Sequence, residues 1–189
     1  DELIIEYKNK IEARLPLKCL SADAPQYDRK WSKTKLTPVA LPNVNYNVIE
    51  ALSLMVSSPN HCSKRWIWEQ YDHMILNSTL RVPGMDAGVV KARDTQKAIA
   101  FTSDCNPLFC KINPREGGKQ AVAEAYRNLI SVGAKPIAVT DNLNFGNPED
   151  PKVMGQFVEC IQGITQACRK LNFPVVSGNV SFYNQTDGK

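Results

Sequence analysis

The sequence lacks the features that identify several common classes of protein. No apolar run approaches the roughly 20 residues that a membrane-spanning helix needs, and no signal peptide is visible. Neither a Walker A sequence nor a GxGxxG sequence is present, so these two glycine-rich phosphate loops are excluded. No segment repeats at a fixed period, which excludes a solenoid. We therefore expect no membrane partner.

Residues that bind zinc or form disulfides are few or poorly spaced. The six cysteines contain no CxxC pair, and the chain has only two histidines, so a zinc site is not expected. Cys160 and Cys168 lie on one predicted helix, too far apart along it to form a bridge. We interpret all six cysteines as reduced thiols of a cytoplasmic protein.

Neither the charge distribution nor the possible nucleophiles indicate a nucleic-acid-binding protein or a nucleophilic enzyme. The net charge is +4, and the densest basic stretch, residues 29–35, contains Trp31. Such a stretch can contact nucleic acid, but we favour a solvated connector and expect no nucleic-acid partner. The best acid/base cluster is Tyr71-Asp72-His73, for which no Ser or Cys nucleophile is evident. We favour a structural role for it and predict no catalytic residue.

Hydrophobic patterning divides the chain into three parts. Residues 1–20 alternate around Asn9-Lys10 as a β-hairpin does, and residues 21–45 carry three prolines, as an extended linker does. Residues 46–189 form the main domain, which begins with helices over 46–57 and 62–70. The chain begins without Met and ends in turn-like chemistry at 185–189, so we expect a fragment of a longer protein.

From Asp86 onward the pattern predicts an α+β (α/β-like) layer of order β-β-α-β-α-β. Gly117-Gly118 opens the first helix, and Gly133 is its stop signal. An anion could bind at those glycines, although a tight turn explains them equally well. The predicted strands cover 87–91, 98–102, 136–140 and 174–177, and the predicted helices cover 119–132 and 150–171.

The most informative stretch is Thr140-Asp141-Asn142-Leu143-Asn144-Phe145-Gly146-Asn147, which follows the apolar run at 136–139. If that run is a buried strand, the polar residues lie at its end, where open sheets bind ligands. A carboxylate and amides suit Mg²⁺ and phosphate, and Gly lets backbone approach an anion. An Asn/Gly turn that caps itself is the alternative.

Four polar groups at strand ends or on a helix face could converge on one sheet edge and hold nucleotide phosphates through Mg²⁺. For each group alone, a turn cap or a solvated helix face is the structural alternative. The groups are Asp86 with Ser103-Asp104-Cys105-Asn106, Glu124 with Asn128, Asp141 with Asn142, and Gly178-Asn179 with Ser181.

Longer motifs carry a resemblance to a known family. They are Gln70-Tyr71-Asp72-His73-Met74, Asp104-Cys105-Asn106-Pro107, Glu116-Gly117-Gly118-Lys119, Thr140-Asp141-Asn142-Leu143-Asn144-Phe145-Gly146-Asn147-Pro148-Glu149 and Ser177-Gly178-Asn179-Val180-Ser181-Phe182-Tyr183-Asn184. Through them the chain resembles the synthetase subunit of phosphoribosylformylglycinamidine synthase, the purine-biosynthesis ligase, over nearly its whole length.

The resemblance implies a fold. Such proteins contain two copies of an aminoimidazole-ribonucleotide (AIR) synthetase-like unit, whose N-terminal domains pack four-stranded sheets together about a pseudo-twofold axis. Residues 1–20 then resemble the end of the first copy's C-terminal domain, 21–45 the linker, and 46–189 the N-terminal domain of the second copy. An isolated sheet of this kind exposes an apolar face, so we expect the fragment to self-associate.

The resemblance also implies a reaction. In it, formylglycinamide ribonucleotide, ATP and ammonia from a glutaminase subunit or domain give formylglycinamidine ribonucleotide, ADP and phosphate, with Mg²⁺. By motif, Asp141 and Gly178 resemble ATP-contacting positions, Asn179 a Mg²⁺ ligand and Ser181 a substrate-phosphate contact.

The resemblance also implies further metal ligands, and this chain differs from the family pattern at one motif. Asp86, Glu124 and Asn128 resemble the metal ligands of an auxiliary nucleotide, with Asp104 as the alternative to Asp86. Where the first copy in the family carries a catalytic His-Asn-His-Pro motif, this chain has Asp104-Cys105-Asn106-Pro107. We therefore expect a domain that supplies binding groups and half of a barrel but no general base.

Other functions remain open from the sequence. One alternative is another ATP-using enzyme of the superfamily, such as selenophosphate synthetase or AIR synthetase itself. A second alternative is a non-catalytic nucleotide-binding or assembly module.

Overall fold

The computed structural model describes residues 1–36, 38 and 47–186 of the chain. Packing divides the chain into two compact units, Asp1–Lys30 and Trp31–Lys189. The predicted domain bounds at 20 and 45 stay predictions. None of the helices within the described ranges is both long and apolar enough to cross a bilayer.

The first unit contains the predicted hairpin. Strand β1 (Glu2–Tyr7) pairs antiparallel with β2 (Lys10–Pro16). The turn residues Lys8 and Asn9 have φ of 50° and 61°. Positive φ at both central positions is what a two-residue type I′ hairpin turn requires. A short 3-10 turn at Leu17–Leu20 follows.

The second unit contains the predicted order β-β-α-β-α-β from residue 86 onward, with one helix added. The predicted helices at 46–57 and 62–70 are shorter in the structure, and Tyr46 lies outside the described residues. The elements are α1 (Val48–Ser57), α2 (Arg65–Glu69), β3 (Thr79–Arg81), β4 (Gly88–Lys91), β5 (Ala98–Phe101), α3 (Pro107–Ile112), α4 (Pro114–Ser131), β6 (Val139–Asn144), α5 (Pro151–Leu171) and β7 (Val175–Ser181).

The strands of this unit hydrogen-bond in two groups. Strands β3, β4 and β5 form an antiparallel sheet, and β6 pairs with β7 in parallel. The mixed class with helices and strands is confirmed. The four strands that the sequence predicted do not join into one sheet within the described residues, because β5 and β6 share no ladder.

Helices α4 and α5 pack against each other and hold most of the core. The buried cluster is Ala87, Val122, Leu129, Cys168 and Phe173. Phe173 retains 2% of its exposure, and its ring meets that of Tyr126 edge to face at 5.6 Å. A Cβ on Gly118 would lie 2.5 Å from the Cys160 carbonyl oxygen, so the helices touch through glycine.

The start of α4 differs from the sequence prediction. The helix begins at Pro114, and Gly117 and Gly118 lie buried as its fourth and fifth residues instead of opening it. Asn113 caps the end by accepting the Glu116 N–H at 3.3 Å, and Pro at the first helical position reinforces the start. The two glycines serve helix packing, so the anion-binding alternative for them was wrong.

The strand predicted at 136–140 also differs. Strand β6 runs over Val139–Asn144, and β7 extends to Ser181 instead of ending at 177. The parallel ladder between them continues through the polar residues, because pairing with a neighbouring strand overrides the low strand propensity of Asp and Asn. Asp141, Asn142 and Asn144 therefore lie within a strand and not after its end.

Part of the predicted linker is fixed along α5. The Ser32 N–H donates to the Pro151 carbonyl at 2.8 Å, and the Thr34 N–H donates to Glu159 Oε2 at 2.8 Å. A Cβ on Gly155 would overlap the Ser32 carbonyl oxygen. We call residues 31–36 the strap, because the glycine in the helix lets this extended segment lie directly against it.

Candidate nucleotide and metal site

The parallel pair β6–β7 places four of the predicted contact residues in one ladder: Asp141, Gly178, Asn179 and Ser181. Its register aligns Asp141 with Gly178, Asn142 with Asn179 and Asn144 with Ser181. Since aligned residues of neighbouring strands point to the same side of a sheet, three residues that the sequence placed 37 positions away become direct neighbours of the Thr140–Asn147 motif.

One face of this pair carries only uncharged polar side chains. Side chains alternate between the two faces along each strand, so every second residue of β6 and of β7 lies on this face. All of these residues except Ser181 are exposed. Asn144 Nδ2 donates to Asn142 Oδ1 at 3.1 Å, which orients the amide beside Asn179. The six residues are Thr140, Asn142, Asn144, Ser177, Asn179 and Ser181.

Asp141 lies on the opposite face, where its carboxylate crosses Gly178. A Cβ on Gly178 would overlap Asp141 Oδ1, so only glycine fits beside this carboxylate. Burial raises the pKa of the neighbouring Cys168 thiol, and the negative charge of Asp141 adds to that increase. The carboxylate thus lies near Cys168 of α5 and fills the space beside the Gly178 backbone.

A second polar cluster forms between the end of β5 and α4. Asn128 Nδ2 donates to Asp104 Oδ1 at 2.8 Å, and the Thr102 hydroxyl donates to Asp104 Oδ2 at 2.7 Å. The same hydroxyl lies 3.3 Å from the Asp86 carbonyl oxygen. Burial is the largest cause that raises the pKa of the Cys105 thiol, and neighbouring Cys110 is the next. The charge of Glu124, one turn before Asn128 on α4, adds a smaller increase.

The two clusters are separate within the described part of the chain. No hydrogen bond recorded there joins Asp141 or Asn179 to Glu124 or Asn128. No three His, Cys, Asp or Glu side chains among the described residues are grouped so that they could hold a metal. Amide oxygens such as those of Asn128 and Asn179 can add to one or two carboxylates in a magnesium site, because Mg²⁺ accepts hard oxygen ligands.

Two residues at the end of the chain have a role that sequence reasoning missed. Gln185 Oε1 accepts the Asn147 N–H at 2.7 Å and occupies the space that a Cβ on Gly146 would take. Asn184 Nδ2 donates to the Ser181 carbonyl at 2.9 Å. The sequence had suggested a hairpin turn at 185–189, of which 187–189 lie outside the described residues. These amides fix the loop after β6. Their position at the end of a long polar motif was the sequence signal that could have predicted this role.

The Tyr71-Asp72-His73 cluster has structural contacts. Asp72 Oδ1 accepts the Met74 N–H at 2.8 Å, the His73 carbonyl accepts the Thr79 hydroxyl, and the His73 ring packs edge to face on Trp68 at 6.3 Å. All of these contacts stabilise the turn before β3. The structural role that we favoured therefore agrees with the geometry.

Comparison with known proteins identifies the class of this fold and site. The sequence profile described as "AIR synthase related protein, N-terminal domain" matches residues 84–189. That span contains both polar clusters and every strand from β4 to β7. The chain belongs to the AIR synthase-related family.

Particular relatives narrow the comparison. The chain is 54% identical over 188 residues to the phosphoribosylformylglycinamidine synthase subunit PurL of Cereibacter sphaeroides, covering 100% of this chain and 26% of the relative. It is 54% identical over 189 residues to the subunit of the same name from Azorhizobium caulinodans, covering 98% of this chain and 26% of the relative. The chain thus spans about a quarter of the length of these relatives.

Solved structures give the same comparison. A structure of PurLQS from Thermotoga maritima aligns with a TM-score of 0.72 at 28% identity, covering 98% of this chain and 29% of that one. T. maritima PurL complexed with ATP aligns with a TM-score of 0.68 at 26% identity, covering 98% of this chain and 28% of that one. The predicted resemblance to the synthetase family is confirmed.

Proposed function

We propose that this chain is the part of a phosphoribosylformylglycinamidine synthase that supplies binding groups for its ATP-dependent ligase reaction. The observation that carries this proposal is 54% identity along the whole chain to subunits of that name. The reaction joins ammonia, released from glutamine by a glutaminase partner, to formylglycinamide ribonucleotide in purine biosynthesis. T. maritima PurL has been solved with ATP and with FGAR, which supports both ligand classes. The cytoplasm is the compartment that we propose.

The geometry of β6–β7 suits the nucleotide role of Asp141 and Gly178. A carboxylate can accept a hydrogen bond from a ribose hydroxyl or an adenine amine, and Gly178 lets the Asp141 carboxylate lie directly against the β7 backbone, because a Cβ there would overlap Asp141 Oδ1. On the other face, Asn179 would offer an amide oxygen to Mg²⁺, and Ser181 would donate its hydroxyl to a substrate phosphate. Bound Mg²⁺ would neutralise the charge that phosphoryl transfer spreads over oxygens.

The second cluster suits an auxiliary nucleotide metal. Glu124 and Asn128 lie one turn apart on α4, and Asp86 and Asp104 are the two acidic candidates beside them. Asp104 is the carboxylate that Asn128 contacts directly. Asp86 contacts this cluster through its backbone carbonyl oxygen, which accepts from the Thr102 hydroxyl. The contacts support Asp104 as a positioning residue for Asn128, with Asp86, Glu124 and Asn128 as the proposed ligands.

Titration calorimetry with ATP, with and without Mg²⁺, tests the nucleotide role. We expect Mg²⁺-dependent binding that Asp141→Ala weakens about tenfold or more, since a charged hydrogen bond contributes about 1.5 kcal/mol or more. Asp23→Ala, which removes a carboxylate from the first unit, should change nothing. Equal affinity in wild type and Asp141→Ala would contradict the proposed site. Amidine formation by the chain alone would contradict the absence of a general base.

A second candidate is an assembly module, favoured by exposed apolar residues on the strands. Ile99, Phe101, Val176 and Val180 remain 48–66% exposed, and large exposed apolar patches mark interaction surfaces. We propose that a second copy of this chain covers them. Light scattering after size exclusion should give a dimer mass that Phe101→Glu reduces to that of a monomer. A monomer in wild type at all concentrations would contradict this proposal.

A further inference from the structure

The strap is attached to one face of α5 by a small set of hydrogen bonds. Pro151, Gly155 and Glu159 follow one another at intervals of four residues, so they share that face of the helix. The Ser32 N–H and the Ser32 hydroxyl both donate to the Pro151 carbonyl, at 2.8 and 3.3 Å. The Thr34 N–H donates to Glu159 Oε2 at 2.8 Å. These are the hydrogen bonds recorded between the strap and α5 within the described residues.

Apolar burial adds little to this attachment. Trp31 and Leu36, the two large apolar side chains of the strap, remain 48% and 53% exposed. Of the residues between them, only Thr34 is half-buried, and the others are exposed. A segment with few buried apolar contacts opens at a lower free-energy cost than the core does. We therefore expect the strap to leave α5 far more often than the whole domain unfolds.

One polar atom in the contact has no partner while the strap lies on the helix. Thr34 Oγ1 is buried and makes no hydrogen bond among the described residues. The backbone N–H of the same residue is paired with Glu159, so only the hydroxyl is unpaired. Burying a hydroxyl without a partner costs free energy, which is recovered when the group returns to water. The Thr34 hydroxyl therefore opposes the attachment that the backbone hydrogen bonds favour.

We propose that the strap is a releasable tether: it opens locally from α5 while the rest of the domain stays folded, and the unpaired Thr34 hydroxyl weakens its attached state. The first compact unit ends at Lys30, directly before the strap. Release adds residues 31–36 to the segment that connects this unit to the rest of the chain, which lengthens its reach by up to about 20 Å. No ligand takes part, so the tether is independent of the proposed function.

Amide hydrogen exchange followed by NMR tests the tether. The Ser32 N–H is the reporter, because its intrinsic exchange rate depends on Trp31 and Ser32 and not on residue 34. In wild type it should exchange more slowly than an unprotected amide but about tenfold or more faster than the amide of Leu129, a core residue of α4. Thr34→Val keeps the shape of the side chain and removes the hydroxyl. It should slow exchange at Ser32 about tenfold, because it removes an unpaired buried polar group.

Thr34→Ser and Thr95→Val are the matched controls. Thr34→Ser keeps the hydroxyl, so it should not slow exchange at Ser32. The Thr95 hydroxyl is paired, since it donates to the Ala92 carbonyl at 2.8 Å and accepts the Lys97 N–H at 3.0 Å. Thr95→Val should therefore have the opposite effect in its own turn: faster exchange at Lys97, with Ser32 unchanged.

Three results would overturn the proposal. If Ser32 exchanges only as fast as Leu129 in wild type, the strap opens by global unfolding alone. If Ser32 exchanges as an unprotected amide, the strap is not attached to α5. If Thr34→Val leaves exchange at Ser32 unchanged or speeds it, the hydroxyl has a partner, such as a bound water. Exchange at Leu129 that is no faster in Thr34→Val than in wild type shows that this variant is folded.

Discussion

Helices α1 and α5 begin with equally good caps but differ completely in burial. Asn47 forms a capping box with Glu50 at the start of α1, and Asp150 caps α5 by accepting the Lys152 N–H at 2.8 Å. Yet α1 has no buried residue, whereas α5 buries five. The local signals therefore start both helices, and only one of them is held by the core.

The difference shows where the stability of the second unit arises. Helix α5 packs on α4 and receives the strap, and its Phe157 ring contacts the rings of Phe145 and Phe182, which follow β6 and β7. Helix α1 exposes Val48, Leu52 and Met55 by 54–81%, so its apolar side contributes little in the chain as described. We expect substitutions near α5 to change the global free energy of unfolding and those near α1 to act locally.

The largest expected effect comes from removing a core ring. Phe173→Ala should lower the free energy of unfolding by about 3–5 kcal/mol, because it deletes a fully buried side chain and leaves a cavity. Urea denaturation followed by circular dichroism measures the change, at a protein concentration low enough to keep the chain monomeric.

Phe101→Ala is the matched control for that substitution. Its ring is 57% exposed, so the same chemical change should shift the free energy of unfolding by about 0.5 kcal/mol or less. Similar losses in the two variants would show that the exposed strand face is packed in solution, and the contrast between the two regions would fail.

A smaller effect is expected where the strap meets α5. Glu159 is buried with 6% exposure, and its carboxylate accepts the Thr34 N–H. Glu159→Ala should destabilise the strap by about 1–3 kcal/mol, since it leaves that donor without a partner. Trypsin should then cut faster after Lys33 and Lys35.

Two comparisons sharpen the strap experiment. Glu159→Gln keeps an oxygen acceptor and should give an intermediate cleavage rate. Cleavage after Lys10, in the hairpin, should be the same in all variants. If Glu159→Ala leaves the rates at Lys33 and Lys35 unchanged, the strap is not held by this contact.

The order of elements and most helix positions could be predicted from the sequence because they follow local rules. Helical periodicity located α5 to within a residue. Alternation around Asn9-Lys10 located the hairpin, whose turn in the structure is Lys8–Asn9. The start of α4 was misplaced because the glycines were interpreted as a helix opening, although Asn113-Pro114 already carried the cap signal.

The site was predicted less completely because it depends on pairing between distant segments. Sequence alone placed Asp141 after a strand, whereas the ladder with β7 places it inside one, directly beside Gly178. The overlap of a Cβ at Gly178 with the Asp141 carboxylate could not be foreseen, since it depends on the register. The Asp104–Asn128 contact likewise joins segments 24 residues apart.

The smallest expected effect compares the two caps. Replacing either Asn47 or Asp150 with Ala removes one side-chain acceptor and should weaken its own helix by about 1 kcal/mol. In α5 this loss should appear in the global free energy of unfolding, because the core cannot form without that helix. In α1 it should appear only as faster amide exchange over residues 48–57, with global unfolding unchanged. A global loss from Asn47→Ala would mean that α1 is packed in solution, most simply against another copy of the chain.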